Sequence, residues 1–394
     1  MPSSPPAMQV PLLDLKAQYH ALAAEIIPVL EAVCASQRFI LGRYVTDFEF
    51  TAAQYCRCAK AVGVSSGTDA LLLALMALGI GPGDEVITTP YSFFATAGTI
   101  ARVGAKPIFC DVDPVSYNIR PDAVGGFINQ ECERRGGQLI RRATGGRVRA
   151  LMPVHLYGQC ADMTPLMELC REFGLALIED AAQAIGAEDS LGRRAGSMGD
   201  VGCLSFFPSK NLGAFGDAGM CTTQNEQLAH HMHVLRVHGG EPKYFHAFIG
   251  GNFRIDEIQA AVLGIKIKYL DDWTAGRQRN ADYYAAAFNR AGLDGMLALP
   301  TAGSSRRHIW NQYVIRAPRR DELKDFLGQR GVGCEIYYPV PLHRQQCFAY
   351  LGHAQGDFPV AEQAAAQTLA LPIYPELEPL QLQYVVDQIA AFYS

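Results

Sequence analysis

The spacing of apolar positions switches between two periods along this chain. Ala21 to Val33 repeats at helical spacing and predicts a first helix. Ser66-Gly67-Thr68-Asp69 then precedes the apolar run Ala70 to Leu78. Ser, Thr and Asp are favoured at helix starts, and Gly79 suits a stop. Short β-rich runs follow at Glu85–Thr89 and Lys106–Val112, separated by a helical stretch, Ala95–Val103. The alternation continues with a strand at Ala150–Val154, a helix at Met163–Phe173, and strands at Leu175–Ile178 and Val201–Phe206. Strands that alternate with helices imply a sheet covered on both faces. Parallel strands buried on both sides should read as continuous apolar runs, and these do.

After Asn252 the pattern changes. Ile255, Ile258, Val262, Ile265 and Tyr269 fall at helical spacing, and helical sequence continues to about Phe288, predicting one long linking helix. Beyond it, short strands (Tyr313–Ile315, Cys334–Tyr337) mix with helices (Asp321–Gln329, Pro359–Ala370). The expected fold is α/β: a large, mostly parallel sheet domain over residues 1–270, with helices on both faces, and a smaller α/β domain over residues 271–394. The length, 394 residues, suits two domains.

Composition narrows the function classes. A net charge of −5 asks for neither nucleic acid nor an anionic membrane as partner. One basic cluster, Arg134 to Arg149, holds six arginines, but glycines interrupt it and no aromatics interleave. It reads as a solvated surface excursion. The 11 cysteines form no CxxC pair and have no ligand-spaced histidines beside them, so a metal site is not expected. They read as small buried hydrophobes in a reducing compartment. Met1 to Met8 is Pro/Ser-rich and lacks signal-peptide order. No uninterrupted apolar run reaches membrane-spanning length. A cytoplasmic protein is expected.

Four segments carry candidate chemistry. Lys210 sits in Ser205-Phe-Phe-Pro-Ser-Lys210-Asn-Leu-Gly, a turn after a strand, among Phe, Pro and Gly. Partial burial there would lower its pKa and free the amine for Schiff-base chemistry. Asp180 stands at the C-terminal end of a buried strand, where open α/β sheets bind ligands. A carboxylate there can pair with a protonated pyridine nitrogen, or simply cap a helix. Ser66-Gly67-Thr68 offers free N–H groups and a hydroxyl for a phosphate, and plain capping explains it equally well. Phe93, within Tyr91-Ser92-Phe93-Phe94, could cover a flat ring or belong to the core. Gly79-Ile-Gly81-Pro-Gly83 mimics a dinucleotide fingerprint, but it follows a helix and precedes a strand, so it is a turn.

Cradle, aromatic, carboxylate and lysine occur in an order that resembles fold-type I pyridoxal-phosphate enzymes, and most closely the DegT/StrS-type sugar aminotransferases. The carrying stretches are Ser65-Ser-Gly-Thr-Asp-Ala-Leu, Gly81-Pro-Gly-Asp-Glu-Val-Ile-Thr, His155-Leu-Tyr-Gly-Gln, Glu179-Asp-Ala-Ala-Gln, Ser205-Phe-Phe-Pro-Ser-Lys-Asn-Leu-Gly, Asn252-Phe-Arg-Ile-Asp-Glu-Ile-Gln-Ala-Ala and Pro339-Val-Pro-Leu-His. They run through nearly the whole chain.

The resemblance implies the cofactor pyridoxal 5'-phosphate. By that resemblance Lys210 would hold it and shuttle protons, Asp180 would meet the pyridine nitrogen, Gln183 the ring hydroxyl, and Phe93 would stack on the ring. Gly67, Thr68 and Ser205 would hold the phosphate, with Asn252 reaching in from a partner subunit of a homodimer or, alternatively, capping its own helix. Lys243, Tyr337 and Tyr338 would meet a nucleotide-linked sugar, with glutamate as amino donor. Pro339-Val-Pro-Leu-His343 resembles enzymes acting on 3-keto rather than 4-keto sugars. Many such relatives have His-Tyr-Pro where this chain has Tyr337-Tyr338-Pro339. The related sugar dehydratases carry histidine in place of the lysine, which sets them against this chain. A cofactor-binding regulator without activity is the other alternative. An ordinary amino-acid aminotransferase would add a carboxylate-binding arginine in the small domain, and no such arginine stands out.

Overall fold

The chain was analysed as a computed structural model that describes residues 8–303 and 305–394, so the Pro/Ser-rich start up to residue 7 lies outside it. Nine strands make one sheet: β1 (Lys60–Val64), β2 (Asp84–Thr88), β3 (Lys106–Phe109), β4 (Cys132–Arg135), β5 (Gln138–Arg141), β6 (Arg147–Met152), β7 (Ala176–Asp180), β8 (Val201–Ser205) and β9 (Gly219–Thr223). The order is β1-β9-β8-β7-β6-β2-β3, with the β4–β5 hairpin joined to the start of β6. Strands β8, β7, β6, β2 and β3 pair in parallel. The β9 and β1 edge and the hairpin are antiparallel. The sheet is therefore mixed, and the parallel expectation holds for its five central strands. The return from β8 to β9 contains no helix, and a plain loop can join only antiparallel neighbours.

The helices before the last unit are α1 (Leu15–Ser36), α2 (Arg43–Cys56), α3 (Gly67–Ala77), α4 (Ala95–Arg102), α5 (Pro121–Glu131), α6 (Met163–Phe173), α7 (Glu226–Leu235) and α8 (Glu257–Lys266). Strand side chains alternate between faces, so each apolar run feeds two cores. Ile87, Leu151, Leu177, Leu204 and Met220 pack with Phe48 of α2, Ile128 of α5 and Leu166 of α6. Val86, Met152, Ile178, Cys203 and Cys221 pack on the other face with Leu71 of α3, Ile100 of α4 and Leu235 of α7.

The predicted long helix is two. A 3₁₀ turn at Ile267–Tyr269 separates α8 from α9 (Leu270–Arg290). The last unit adds β10 (Tyr313–Arg316), α10 (Arg320–Gly328), α11 (Pro359–Gln367), β11 (Thr368–Leu371) and α12 (Pro379–Tyr393). Its own core joins Tyr284, Phe288, Ile315, Leu327, Leu371 and Val385, and Val10 from the chain's start packs there too. The helix expected to reach Ala370 stops at Gln367, because β-branched Thr368 opens a strand paired antiparallel with β10. The strand expected at Cys334–Tyr337 is only a bridge, Glu335 to Ala370. Pro339 and Pro341 follow and have no N–H to extend a ladder.

The arginine-rich segment lies at the surface, as expected, in a hairpin whose side chains are tied back to the domain. Arg134 donates to the Glu172 carbonyl and lies over the Phe173 ring, and Arg142 donates to the Gln130 carbonyl. Arg147 pairs with buried Asp84 at 2.8 Å, Arg141 lies over Phe127, and Arg149 donates to the Leu78 carbonyl. Arg135 pairs with Glu133. All six guanidinium groups are engaged on the domain itself. One further reading needs correction: α1 is long and apolar enough to cross a membrane by length and composition, with a mean hydropathy of 1.3 over its most apolar window. Its acidic residues interrupt the run in sequence. Leu22 and Ile26 of α1 pack against Val262 and Ile265 of α8.

Glu257, the first residue of α8, is buried and accepts the backbone N–H groups of Gly42 (2.8 Å), Tyr44 (2.7 Å) and Val45 (3.3 Å). A carboxylate 215 positions away thus serves as the N-terminal cap that Gly42 cannot provide for α2. Glu257→Ala should cost about 2 kcal/mol or more in urea unfolding, since charged acceptors of buried N–H groups are worth most. Asp47→Ala, which breaks an exposed pair with Arg43, should cost less than about 0.5 kcal/mol. Equal costs would contradict this account of α2.

Candidate active site

The parallel strands deliver chemistry at their C-terminal ends. Asp180 closes β7 and Ser205 closes β8, while the start of α3 lies beside Ser205. Ser66 caps α3 by accepting the Asp69 N–H at 3.0 Å, and the Asp69 carboxylate accepts the Ser65 and Ser66 hydroxyls. A side chain at Gly67 would meet the Ser205 Cβ at 2.6 Å, and one at Gly219 would meet the Ser66 backbone at 2.4 Å. Only glycine permits this three-way approach. The Gly67 and Thr68 N–H groups at the positive end of α3, with the Ser205 hydroxyl beside them, form a cradle that fits a phosphate.

Asp180 is buried. Its Oδ2 accepts from Thr96 Oγ1 at 2.7 Å and its Oδ1 from the Ala182 N–H at 3.3 Å; Thr96 is paired in turn with Ser92 at 2.9 Å. Burial pushes its carboxyl pKa up, and the Thr96 and Ala182 bonds and the Lys210 charge hold that rise back. Its neighbour Glu179 faces the other way. Glu179 accepts the N–H groups of Gly196, Met198 and Gly199 at 2.6–2.8 Å and the His155 Nε2 at 2.9 Å. His155 Nδ1 accepts from the Ala161 N–H, so Nε2 is the ring nitrogen that bears hydrogen.

Lys210 follows β8 in a turn, its N–H bonded to the Phe207 carbonyl at 2.8 Å. Burial pulls its amine down to about 8 against the opposing pull of the Asp180 carboxylate. The next residue, Asn211, is locked by the Ile309 carbonyl and by Asn311. Lys210, Tyr337, Gln312 and Arg277 line one small cavity of about 70 Å³. Gln183 accepts the Tyr157 N–H at 2.7 Å and donates to the Tyr338 hydroxyl at 3.1 Å. Phe93 is 56% exposed, its ring 6.0 Å from that of Tyr338, leaving an open aromatic face beside Asp180's strand.

Among the expected residues, Gly67 meets Ser205, Lys210 feels the Asp180 charge, and Gln183 and Phe93 both lie against Tyr338. Thr68 is the second residue of α3, and Tyr337 lines the cavity beside Lys210. Lys243 is not among them within one chain; it is exposed and lies 4.9 Å over the Tyr244 ring. Asn252 is exposed too, yet Ser65 N–H bonds to the Phe253 carbonyl and Arg254 bridges Val64, so its own segment runs beside its own cradle. The sequence reading missed Thr96, Tyr91, Tyr157 and Glu179, whose bonds span distant segments. It also missed Arg277, buried on α9, whose Nη1 donates to the Trp310, Asn311 and Ile373 carbonyls.

Comparison with known proteins finds relatives along nearly the whole chain. The profile of the DegT/DnrJ/EryC1/StrS aminotransferase family matches residues 20–390. The pleiotropic regulatory protein of Geobacillus stearothermophilus is 47% identical over 386 residues, 98% of this chain and 99% of that one. The UDP-N-acetyl-3-dehydro-alpha-D-glucosamine 3-aminotransferase of Acidithiobacillus ferrooxidans is 42% identical over 380 residues, 96% and 97% of the two chains. The structure of S. venezuelae DesV in complex with a ketimine intermediate superposes with a TM-score of 0.89 at 40% identity, covering 98% of this chain and 99% of that one.

The lowered amine of Lys210 gives a direct prediction. Burial disfavours its ammonium form, so in cofactor-free protein competitive labelling should show the amine becoming reactive with a midpoint near 8, against about 10.4 for an ordinary lysine. The Asp180 carboxylate favours the ammonium, so Asp180→Asn should move that midpoint further down. A midpoint at the ordinary value, or an upward move in the variant, would overturn the assignment.

Proposed function

The chain belongs to the DegT/DnrJ/EryC1/StrS aminotransferase family, and we propose that it moves an amino group from glutamate to the keto group of a nucleotide-linked sugar, with 3-keto sugars preferred. The observation that carries this reading is the half-buried Lys210 amine, held between the charge of Asp180 and the small cavity. The family's cofactor is pyridoxal 5'-phosphate, which supplies an electron sink for a substrate carbon losing its proton. The chain's own groups fit it. Gly67, Thr68 and Ser205 hold the phosphate. Asp180, anchored by Thr96, meets the pyridine nitrogen, Gln183 the ring hydroxyl, and Phe93 covers one face. Lys210 would hold the cofactor through its amine and, once a substrate amine has displaced it, the freed amine would move a proton to and from the substrate carbon as general base and acid. Lys243, Tyr337 and Tyr338 meet the sugar.

The name of the Acidithiobacillus relative, a 3-aminotransferase, supports the 3-keto preference. A cofactor-binding regulator is the second reading, favoured by the name of the Geobacillus relative. Lys210 stands against a dehydratase. A cytoplasmic setting belongs to the proposal and is supported by the eleven cysteines, all free thiols. The division at residue 270 also remains part of it, supported by the separate core built on α9 and α12.

Two-fold dimerisation is proposed as well, supported by apolar side chains left exposed on α1 (Tyr19, Ile27), on α2 (Phe50) and at Ile249, which is 92% exposed. Asn252 then either serves the partner's cradle or its own.

Two experiments test these readings. Matched 3-keto and 4-keto nucleotide sugars, offered with glutamate, should show faster turnover of the 3-keto substrate. Lys210→Ala should abolish both turnover and the cofactor's visible absorbance. Faster 4-keto turnover overturns the preference, and absent turnover with an intact spectrum favours the regulator. The second experiment mixes Lys210→Ala subunits with Asn252→Ala subunits and lets them exchange. Activity above that of either parent is expected if Asn252 acts across the interface, because both defects then fall in one site. Absence of recovery assigns Asn252 to its own subunit.

A further inference from the structure

Tyr337 and Tyr338 lie outside any strand, since backbone bridging ends at Glu335. Buried hydroxyls from the sheet domain hold them instead. Tyr91, just after β2, is fully buried. Its hydroxyl lies 2.7 Å from the Tyr337 carbonyl oxygen, 2.8 Å from Thr368 Oγ1 and 3.1 Å from the Tyr338 nitrogen. The Tyr157 hydroxyl also reaches the Tyr337 carbonyl and lies 3.2 Å from that of Tyr91.

Each hydroxyl has one proton, which orders the network. Thr368 donates to the Ala364 carbonyl at 2.8 Å, so towards Tyr91 it can only accept. Tyr157 supplies the Tyr337 carbonyl. Tyr91 donates to the Tyr337 carbonyl or to Thr368 while accepting the Tyr338 N–H. Every donor is used, and among the described residues the Tyr338 N–H is accepted by Tyr91. Tyr157 also ties its own N–H to Gln183, whose amide meets the Tyr338 hydroxyl at 3.1 Å. The loop therefore closes on the side chain expected to face substrate.

We propose that Tyr91 is a positioning residue for the keto-sugar substrate: it latches the Tyr338 backbone to the sheet and thereby sets where the Tyr338 hydroxyl stands. This rests on the reading that Tyr338 meets the sugar. Burial raises the pKa of the Tyr91 phenol, so it stays protonated and keeps donating. Tyr91→Phe keeps the ring that packs against Tyr117 and Tyr338 and removes only the latch.

The test compares holoenzymes carrying Tyr91→Phe, Tyr338→Phe and both. Tyr91→Phe should raise the KM for the keto sugar about tenfold, leave the KM for glutamate and the visible absorbance unchanged, and lower kcat by less than about twofold. In the Tyr338→Phe background it should add less than about twofold, because its effect passes through that hydroxyl. Backbone amide exchange over residues 334–342 should accelerate in Tyr91→Phe. An unchanged sugar KM, or the same rise in both backgrounds, overturns the proposal. Unchanged amide exchange overturns it independently of any activity. Faster exchange in a protein whose wild type turns over no keto sugar would uphold the latch and sink the functional reading instead.

Discussion

The site depends on keeping one carboxylate buried at the end of a strand. Asp180 is paired with Thr96, and the charge of the Lys210 amine, itself desolvated, also acts on it. Burial raises the pKa of one group and lowers that of the other, while their mutual attraction works against both shifts. The Lys210 amine can therefore lose its proton at about pH 8, and the Asp180 carboxyl sits above its ordinary value. Moving either into solvent would leave an ordinary acid and an ordinary base.

The strand's two-residue period makes this possible beside a second carboxylate. Glu179 points to the opposite face, where three backbone N–H groups and His155 meet it. Adjacent acids in sequence thus have unrelated tasks. One fixes the Gly196–Gly199 turn, which crosses under the sheet, and the other is aimed at the opening.

The central strands were legible because burial on both faces writes itself as unbroken apolar residues. Lys210, Asp180 and Gly67 were legible because each stands at a strand or helix end with telling neighbours. Other features left no such trace. The β9 edge carries Thr and Gly rather than a plain apolar run, and α2 mixes aromatic and polar residues without a side-chain cap of its own. Its cap, Glu257, lies 215 residues away. Tyr91 reads as an ordinary core aromatic until its partners, 246 and 277 positions on, are known. The arginine cluster was legible as a surface segment, but the carbonyls and carboxylates that engage it were not.

The two-core alternation also governs where this chain tolerates changes in length. The hairpin of β4 and β5 enters between α5 and β6, pairs mostly with itself, and meets the sheet only near the first residues of β6. Lengthening or trimming its tip alters a surface projection and leaves every inward-facing side chain in register. One extra residue early in β7 has a different outcome. Each later side chain would exchange faces, delivering Glu179 to the position of Asp180 and apolar Ile178 to the position facing the glycine turn. Insertions in this architecture are thus either silent or abolishing, and the dividing line is the strand boundary.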